Sequence, residues 1–170
     1  MTLCAELWAD LGIGAAGVLP FDPSLVRSVR HASRIPAGTL SIVVLTLPYF
    51  AGSPPGNLSL YARGGDYHRA ADRLLGALAQ RIISRFGPMD WSGFCDLSPF
   101  DEVELARRAG LGVRGDNRLL LTPRHGSFVF LAELCTTLPL APTEVTPLSC
   151  EHCGACLAAC PSGALASDRV

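Results

Sequence analysis

Thr39-Leu-Ser-Ile-Val-Val-Leu-Thr-Leu47 is the stretch whose reading decides the fold. It is apolar almost without interruption and rich in β-branched residues, which suit a pleated sheet better than a helix. A strand with no polar face must be covered on both sides. The stretch therefore predicts a fully buried central strand. Pro48 ends it, since proline lacks the N–H a ladder needs. Upstream, Pro36-Ala-Gly38 reads as a turn. Downstream, residues 49–60 read as a loop rich in Gly and Pro, including Pro54-Pro55-Gly56.

On the N-terminal side, Leu3, Leu7 and Leu11 recur at i, i+4 and i+8 and predict a short amphipathic helix over Leu3–Leu11. Ala15–Leu19 is a short strand candidate. Asp22-Pro23 reads as a cap followed by proline at the first helical position, opening a helix through Ala32. Arg27, Arg30, His31 and Arg34 there are open to two readings, an anion contact or a solvated helix face.

On the C-terminal side comes Tyr61-Ala-Arg-Gly-Gly-Asp-Tyr-His68. Asp66 can cap the helix that follows, in which Ala71, Leu74, Leu75, Leu78, Ile82 and Phe86 keep one apolar face until Gly87-Pro88. Tyr61, Arg63, Asp66, Tyr67 and His68 gather at its start beside flexible glycines, which suits an anionic ligand. The alternative is a plain cap with a surface histidine. Met89–Cys95 is a second strand candidate with Asp96 at its end. Ser98-Pro99 then opens a helix over Phe100–Ala109, its first turns acidic at Asp101, Glu102 and Glu104. In Gly110-Leu-Gly112-Val-Arg-Gly115-Asp-Asn117 three glycines let backbone approach a ligand. The letters match a dinucleotide fingerprint, but that fingerprint must follow a strand and this stretch follows a helix. Arg118–Leu121 and Ser127–Leu131 predict a hairpin, which Leu134–Leu140 extends.

The chain of 170 residues suits one fold unit with a real core, with 49% hydrophobic and 17% charged residues. A net charge of −1 without a basic run argues against affinity driven mainly by phosphate neutralisation. No basic segment leads into an apolar one at the N-terminus, so no signal peptide is expected. The apolar run Leu40–Leu47 is too short to span a bilayer, and no membrane partner is expected.

Near the C-terminus stands Cys150-Glu-His-Cys153-Gly-Ala-Cys156-Leu-Ala-Ala-Cys160-Pro161. This C-x2-C-x2-C-x3-C-P spacing is the bacterial ferredoxin pattern for a 4Fe-4S cluster. Zinc is the rival reading, although structural zinc usually takes two separated pairs. Cys4, Cys95 and Cys135 are scattered and read as small hydrophobes. In two-cluster runs the fourth cysteine serves the other cluster, so Cys160 either closes the first cluster or belongs to a second.

Read together, these stretches resemble the epoxyqueuosine reductase family. The matching segments are Tyr61–His68, Asp96-x-x-Pro99-x-x-Glu102, Ala106-x-x-Ala-Gly-Leu-Gly112, Gly126-Ser-Phe-Val-Phe-Leu-Ala-Glu-Leu134, and the cysteine run with Pro161-Ser-Gly-Ala. Order and spacing agree from about residue 38 onward, and the N-terminal third matches loosely. The resemblance implies an α/β fold, a nitroreductase-like cobalamin-binding sheet over residues 1–145, with an incomplete ferredoxin-like cluster segment over 146–170. It implies reduction of epoxyqueuosine to queuosine in tRNA, in the cytoplasm, with electrons from a donor such as ferredoxin or flavodoxin. Asp96 falls on the family's proton donor, and Phe94, Cys95 and Leu97 beside it would desolvate its carboxyl. By similarity, cobalamin would contact Ser59, Tyr61, Arg63, Asp66, Tyr67, His68, Asp96, Gly112, Gly115, Asn117, Leu120 and Leu131. The cluster ligands would be Cys150, Cys153, Cys156 and Cys160.

Two departures stand out. Asp116 occupies the position of a family lysine. The family's remaining ligands for a second cluster, and its tRNA-holding helical repeats, lie downstream of where this chain stops, so truncation after the first cysteine run is expected. Alternatives are a cobalamin redox protein with another substrate, an iron–sulfur electron carrier, or an inactive fragment.

Overall fold

The structure, a computed structural model, describes residues 1–52 and 55–166. Ser53 and Pro54 of the expected loop over residues 49–60, and residues 167–170, lie outside the described residues. In chain order the regular elements are β1 (Ala15–Pro20), α1 (Val29–Ala32), β2 (Ser41–Pro48), α2 (Tyr67–Phe86), β3 (Trp91–Phe94), α3 (Glu102–Arg108), β4 (Val113–Arg114), β5 (Leu120–Leu121), β6 (Val129–Thr136) and α4 (Ala155–Ala159).

The main sheet has the order β1-β2-β6-β3, and every pairing in it is antiparallel. The strand expected to be central is central: each residue of β2 from Ser41 to Leu47 is buried. Strand side chains alternate between faces, and here each face has its own cover. Val43, Leu45 and Leu47, with Ala132 and Leu134 of β6, pack against Ala71, Leu75, Leu78 and Ile82 of α2. Ile42 and Val44, with Cys135 of β6, pack with Phe94, Phe100, Leu105, Ala106 and Leu120 on the α3 side. Two covers explain why the sequence shows an unbroken apolar run rather than alternation.

Helix α2 forms where its apolar face predicted. The Asp66 carboxylate accepts the His68 N–H at 3.0 Å to cap it, and Gly87 at φ 104° ends it. Helix α3 begins two residues later than expected. Asp101 is its cap, accepting the Glu104 N–H, whereas the Ser98 hydroxyl accepts from the Phe100 N–H instead. The far end of α3 rests on β1 at Gly17, where a Cβ would stand 2.3 Å from the Ala109 carbonyl oxygen.

Three local expectations change. The first helix is only a 3-10 turn over Ala5–Leu7. The helix from Pro23 is broken into a 3-10 turn, Pro23–Leu25, and α1, because Val26 turns extended and bridges Phe100. The expected hairpin takes a different partner: β5 pairs with β4, while β6 enters the main sheet between β2 and β3. Pairing over the eight residues of β6 satisfies far more backbone than a two-residue hairpin could. No helix among the described residues is long and apolar enough to cross a membrane.

Candidate functional site

Strand β3 ends at Phe94, and the chain then turns sharply through Asp96 at φ 64°. A non-glycine residue in that region is strained unless its surroundings hold it. Three contacts do so. The Ser98 N–H donates to the Asp96 carbonyl at 2.6 Å. The Asp96 N–H donates to the Glu102 carboxylate at 2.9 Å. The Arg34 guanidinium donates to the carbonyls of Leu97 (3.0 Å) and Gly93 (3.3 Å), bracketing the turn. It also lies 4.7 Å from the centre of the Phe94 ring.

The turn delivers the Asp96 carboxylate to the start of α2. There the Tyr67 hydroxyl donates to it, and His68 Nε2 lies 3.1 Å away. His68 Nδ1 is 3.0 Å from Asp66, so the imidazole spans two carboxylates. Its pKa is raised, first by the hydrogen bond to Asp66 and further by the charge of Asp96. The hydrogen bond to Asp96 likewise raises the Tyr67 phenol, keeping it a donor. The apolar enclosure expected for Asp96 is absent. Its side chain is 50% exposed and Leu97 beside it is 63% exposed, while Phe94 turns inward to the core. The Asp96 carboxyl therefore faces the Tyr67 hydroxyl and His68 rather than apolar side chains.

An aromatic band leads away from this point. The Tyr67 ring stacks on Phe130 at 4.1 Å and 3°, Phe130 meets Tyr49 at 4.6 Å, and Phe128 links Tyr49 to the exposed Phe50. A cavity of about 270 Å³ opens beside it, lined among others by Leu60, Tyr61, Gly64, Gly65, Tyr67 and Phe130. Ser59 precedes the 3-10 turn Leu60–Ala62 and makes no side-chain cap. Arg63 curls back to donate to the Leu58 carbonyl at 2.8 Å.

The glycine loop is filled by the chain itself. A Cβ at Gly112 would stand 2.4 Å from the Leu121 carbonyl oxygen, and one at Gly115 would stand 2.6 Å from Asn117 Oδ1. Asn117 Oδ1 in turn accepts the Leu119 N–H. These glycines let β4 and β5 approach, where an approach to ligand was expected. Leu120 is buried and Leu131 partly buried in the α3-side core.

The four cysteines of the run are free thiols, with Cys153 exposed and Cys150, Cys156 and Cys160 half-buried. Gly154, left-handed at φ 74°, starts α4, and Cys160 ends it in extended conformation. The backbone N–H of Leu165, then the Ser162 hydroxyl, hold the Cys160 thiol down to about 7. Soft thiolates gathered around one short helix fit an iron–sulfur cluster in donor chemistry. Asp116 accepts from His152 Nδ1 at 2.9 Å, tying this segment to the glycine loop. Ligand atoms of Asp116, Cys150 and His152 all lie within 4.8 Å of one another.

The sequence reading gave no site role to Glu102 or Glu133, which stood only within family-matching segments, and left Arg34 between an anion contact and a solvated helix face; its guanidinium instead bonds loop carbonyls. Glu133 is buried in mid-strand, and neither of its carboxylate oxygens meets a partner in good hydrogen-bond geometry. A carboxylate at an inward register position between apolar neighbours was the available signal.

A family model described as Epoxyqueuosine reductase QueG, DUF1730, matches residues 30–96, and one described as 4Fe-4S binding domain matches residues 143–166. The epoxyqueuosine reductase of Alicycliphilus denitrificans is 35% identical over 85% of this chain and 44% of its own length. That of Vibrio cholerae is 34% identical over 97% of this chain and 47% of its own length. Among solved structures, the epoxyqueuosine reductase of Streptococcus thermophilus superposes with a TM-score of 0.81 at 22% identity, covering 97% of this chain and 53% of that one. An epoxyqueuosine reductase with an epoxyqueuosine-modified tRNA stem loop gives 0.76 at 24%, covering 96% and 52%. A reductive dehalogenase described with a B12-dependent mechanism gives 0.61 at 20%, covering 95% and 22%. The fold is thus a mixed α/β sheet shared by epoxyqueuosine reductases and a B12-dependent reductive dehalogenase, followed by a 4Fe-4S-type segment. Within that class, the chain resembles the epoxyqueuosine reductases, by the family model over residues 30–96 and by relatives aligned over 85% and 97% of its length. It spans less than half the length of these two relatives.

Proposed function

We propose that this chain carries the reductive site of an epoxyqueuosine reductase, acting on epoxyqueuosine in tRNA with cobalamin and a 4Fe-4S cluster. One observation carries the reading: Tyr67, His68 and Asp96, from two separate motifs, converge on one half-exposed point at the end of an aromatic band. Breaking an epoxide C–O bond leaves negative charge on oxygen, and a carboxylic acid at that point can neutralise it. Asp96 is that acid. Tyr67 orients its carboxyl, and His68, backed by Asp66, returns the proton.

The residues suit a corrinoid in character. The band of Tyr49, Phe128 and Phe130 offers apolar surface for the edge of a macrocycle, and the cavity under Tyr61 takes part of it. Residues 1–145 would form this half, with Ser59, Tyr61, Arg63, Asp66, Tyr67 and His68 toward the corrinoid, while Gly112, Gly115, Asn117, Leu120 and Leu131 would support the site through the chain's own packing. When bound, cobalamin supplies a reduced cobalt as the source of electrons for the bond cleavage. Residues 146–170 would form the cluster segment, in which Cys150, Cys153, Cys156 and Cys160 hold the cluster that feeds those electrons. A cytoplasmic carrier such as ferredoxin or flavodoxin would recharge it.

The test is anaerobic reconstitution with iron, sulfide and cobalamin, followed by turnover of a tRNA stem loop bearing epoxyqueuosine, read by mass spectrometry. The product should be queuosine. Asp96→Asn should keep cobalamin uptake and lose turnover. Failure to take up cobalamin, or turnover by the variant, would overturn the reading. Uptake without epoxide reduction would point to another substrate.

A further inference from the structure

Behind Asp96 the α3 face of the sheet carries two more carboxyls that the proposed reaction does not use. Glu133 stands in β6, opposite Phe94 of β3 and Val44 of β2. It shares its face with Cys135 and Leu131 and is fully buried. Neither oxygen meets a partner in good hydrogen-bond geometry, although the Ser98 hydroxyl is near enough to oppose the rise in its pKa. Glu102, in the first turn of α3, reaches back to accept the Asp96 N–H at 2.9 Å. An unpaired buried carboxyl is costly in charged form and is tolerated as the neutral acid. Glu102 is half-buried and its charge acts on Glu133, and two interacting carboxyls titrate as a pair.

We propose that Glu102 is the positioning residue for Asp96, and that a proton held between Glu102 and Glu133 sets how firmly it holds. With one proton on the pair, Glu133 is neutral and Glu102 is a carboxylate. The Asp96 N–H then donates to an anion, a contact roughly twice as strong as one to a neutral acceptor. That contact holds Asp96 in the left-handed conformation that turns its carboxyl to Tyr67 and His68. A second proton neutralises Glu102 and weakens the hold.

The surroundings favour this sharing. On the loop, Asp96 and the Cys95 thiol face the pair; on α3, Asp101; on β6, the Cys135 thiol; and from α2, Tyr67 and Asp72 lie near the same cluster of acids. On α3, Glu104 is neutralised by Arg107 and Arg108, and Asp101 by Arg114. Arg34 of the segment after α1 bonds loop carbonyls. Burial raises Glu102 to about 7, opposed next by the hydrogen bond from the Asp96 N–H and aided to a lesser degree by the charges of Asp96 and Asp101. Burial and the charge of Glu102 push Glu133 well higher, against a small opposing effect of the Ser98 hydroxyl.

The catalytic consequence rests on the function proposed above, but the test does not. In the full chain without cobalamin or substrate, NMR follows the Glu102 side-chain carboxyl carbon and the Asp96 amide against pH. Both should step with a shared midpoint near 7. In Glu102→Gln the part of the Asp96 step that follows the Glu102 carboxyl should vanish, leaving only the part that follows the His68 ring. Glu133→Gln should keep the lower step and remove any alkaline one. An Asp96 step of undiminished size in Glu102→Gln would assign all of it to His68 and overturn the proposal. So would a wild-type Glu102 carboxyl that titrates at its ordinary value, a result that needs no variant to fold. Either failure leaves the cobalamin and epoxide tests untouched.

Discussion

Glu102→Gln should change how stability depends on pH, and the raised pKa of Glu102 sets the sign and the order of magnitude. An ordinary glutamate titrates at 4.5, while Glu102 in the folded chain does so at about 7. Below 4.5 the group is protonated in both states and contributes no difference. Between these values the folded chain holds a proton that the unfolded chain has released. Stability therefore falls as pH rises through this window and stays lower above it. One proton is worth about 1.4 kcal/mol per pH unit, so the wild type should lose about 3 kcal/mol across the window on this account. Glutamine has nearly the same shape, can still accept the Asp96 N–H, and does not titrate. In Glu102→Gln that loss should be missing. Trp8 and Trp91, the two tryptophans, both pack partly against the α2-side core and report its unfolding. Urea denaturation at a series of pH values from 4.5 to 8 gives the two curves. His68 titrates in both proteins, and its contribution, lost as pH rises through its raised pKa, cancels in the difference. Parallel curves for wild type and variant would refute the reasoning.

Gly112→Ala should cost about 1–3 kcal/mol, because its Cβ would meet the Leu121 carbonyl at 2.4 Å and backbone cannot step aside; thermal melting checks it. Cys156→Ser should lower iron and sulfide content after anaerobic reconstitution and weaken the visible absorption of the cluster; wild-type loading would remove Cys156 from the ligand set. His68→Gln should slow epoxide reduction about 10-fold or more while sparing cobalamin uptake, with the largest loss where His68 is protonated in the wild type. Arg34→Ala should speed amide exchange at Leu97 and Ser98 without changing the exchange of α2, since it removes two bonds to the loop carbonyls. Uniform acceleration would mean the clamp is global rather than local.

The sequence by itself settled whatever depends on local chemistry. The run from Thr39 to Leu47 holds a buried strand, β2 from Ser41 onward, because its residues leave it no polar face, and β2 lies in the middle of the sheet, while Leu40 before it is exposed. Asp66 and Gly87 bound α2 because a capping carboxylate and a residue tolerant of positive φ act within a few residues of themselves. The cysteine spacing marked a ferredoxin-type segment, and the 4Fe-4S binding-domain model matches residues 143–166.

Tertiary structure decided what depends on which strands meet. Pairing of β6 with both β2 and β3 could not be read locally, because a hairpin with Arg118–Leu121 satisfied the same turn signals. That pairing puts Glu133 on the inner face behind Glu102. It also places β3 so that Asp96, at its end, meets Tyr67 and His68 from the start of α2. Gly112 and Gly115 read as an opening for ligand, yet their free sides are taken by Leu121 and Asn117. A glycine shows that something comes close, and only the fold shows what. Residue types and short spacings are properties of the chain, whereas the burial of one carboxyl and the exposure of another follow from contacts between segments far apart in it.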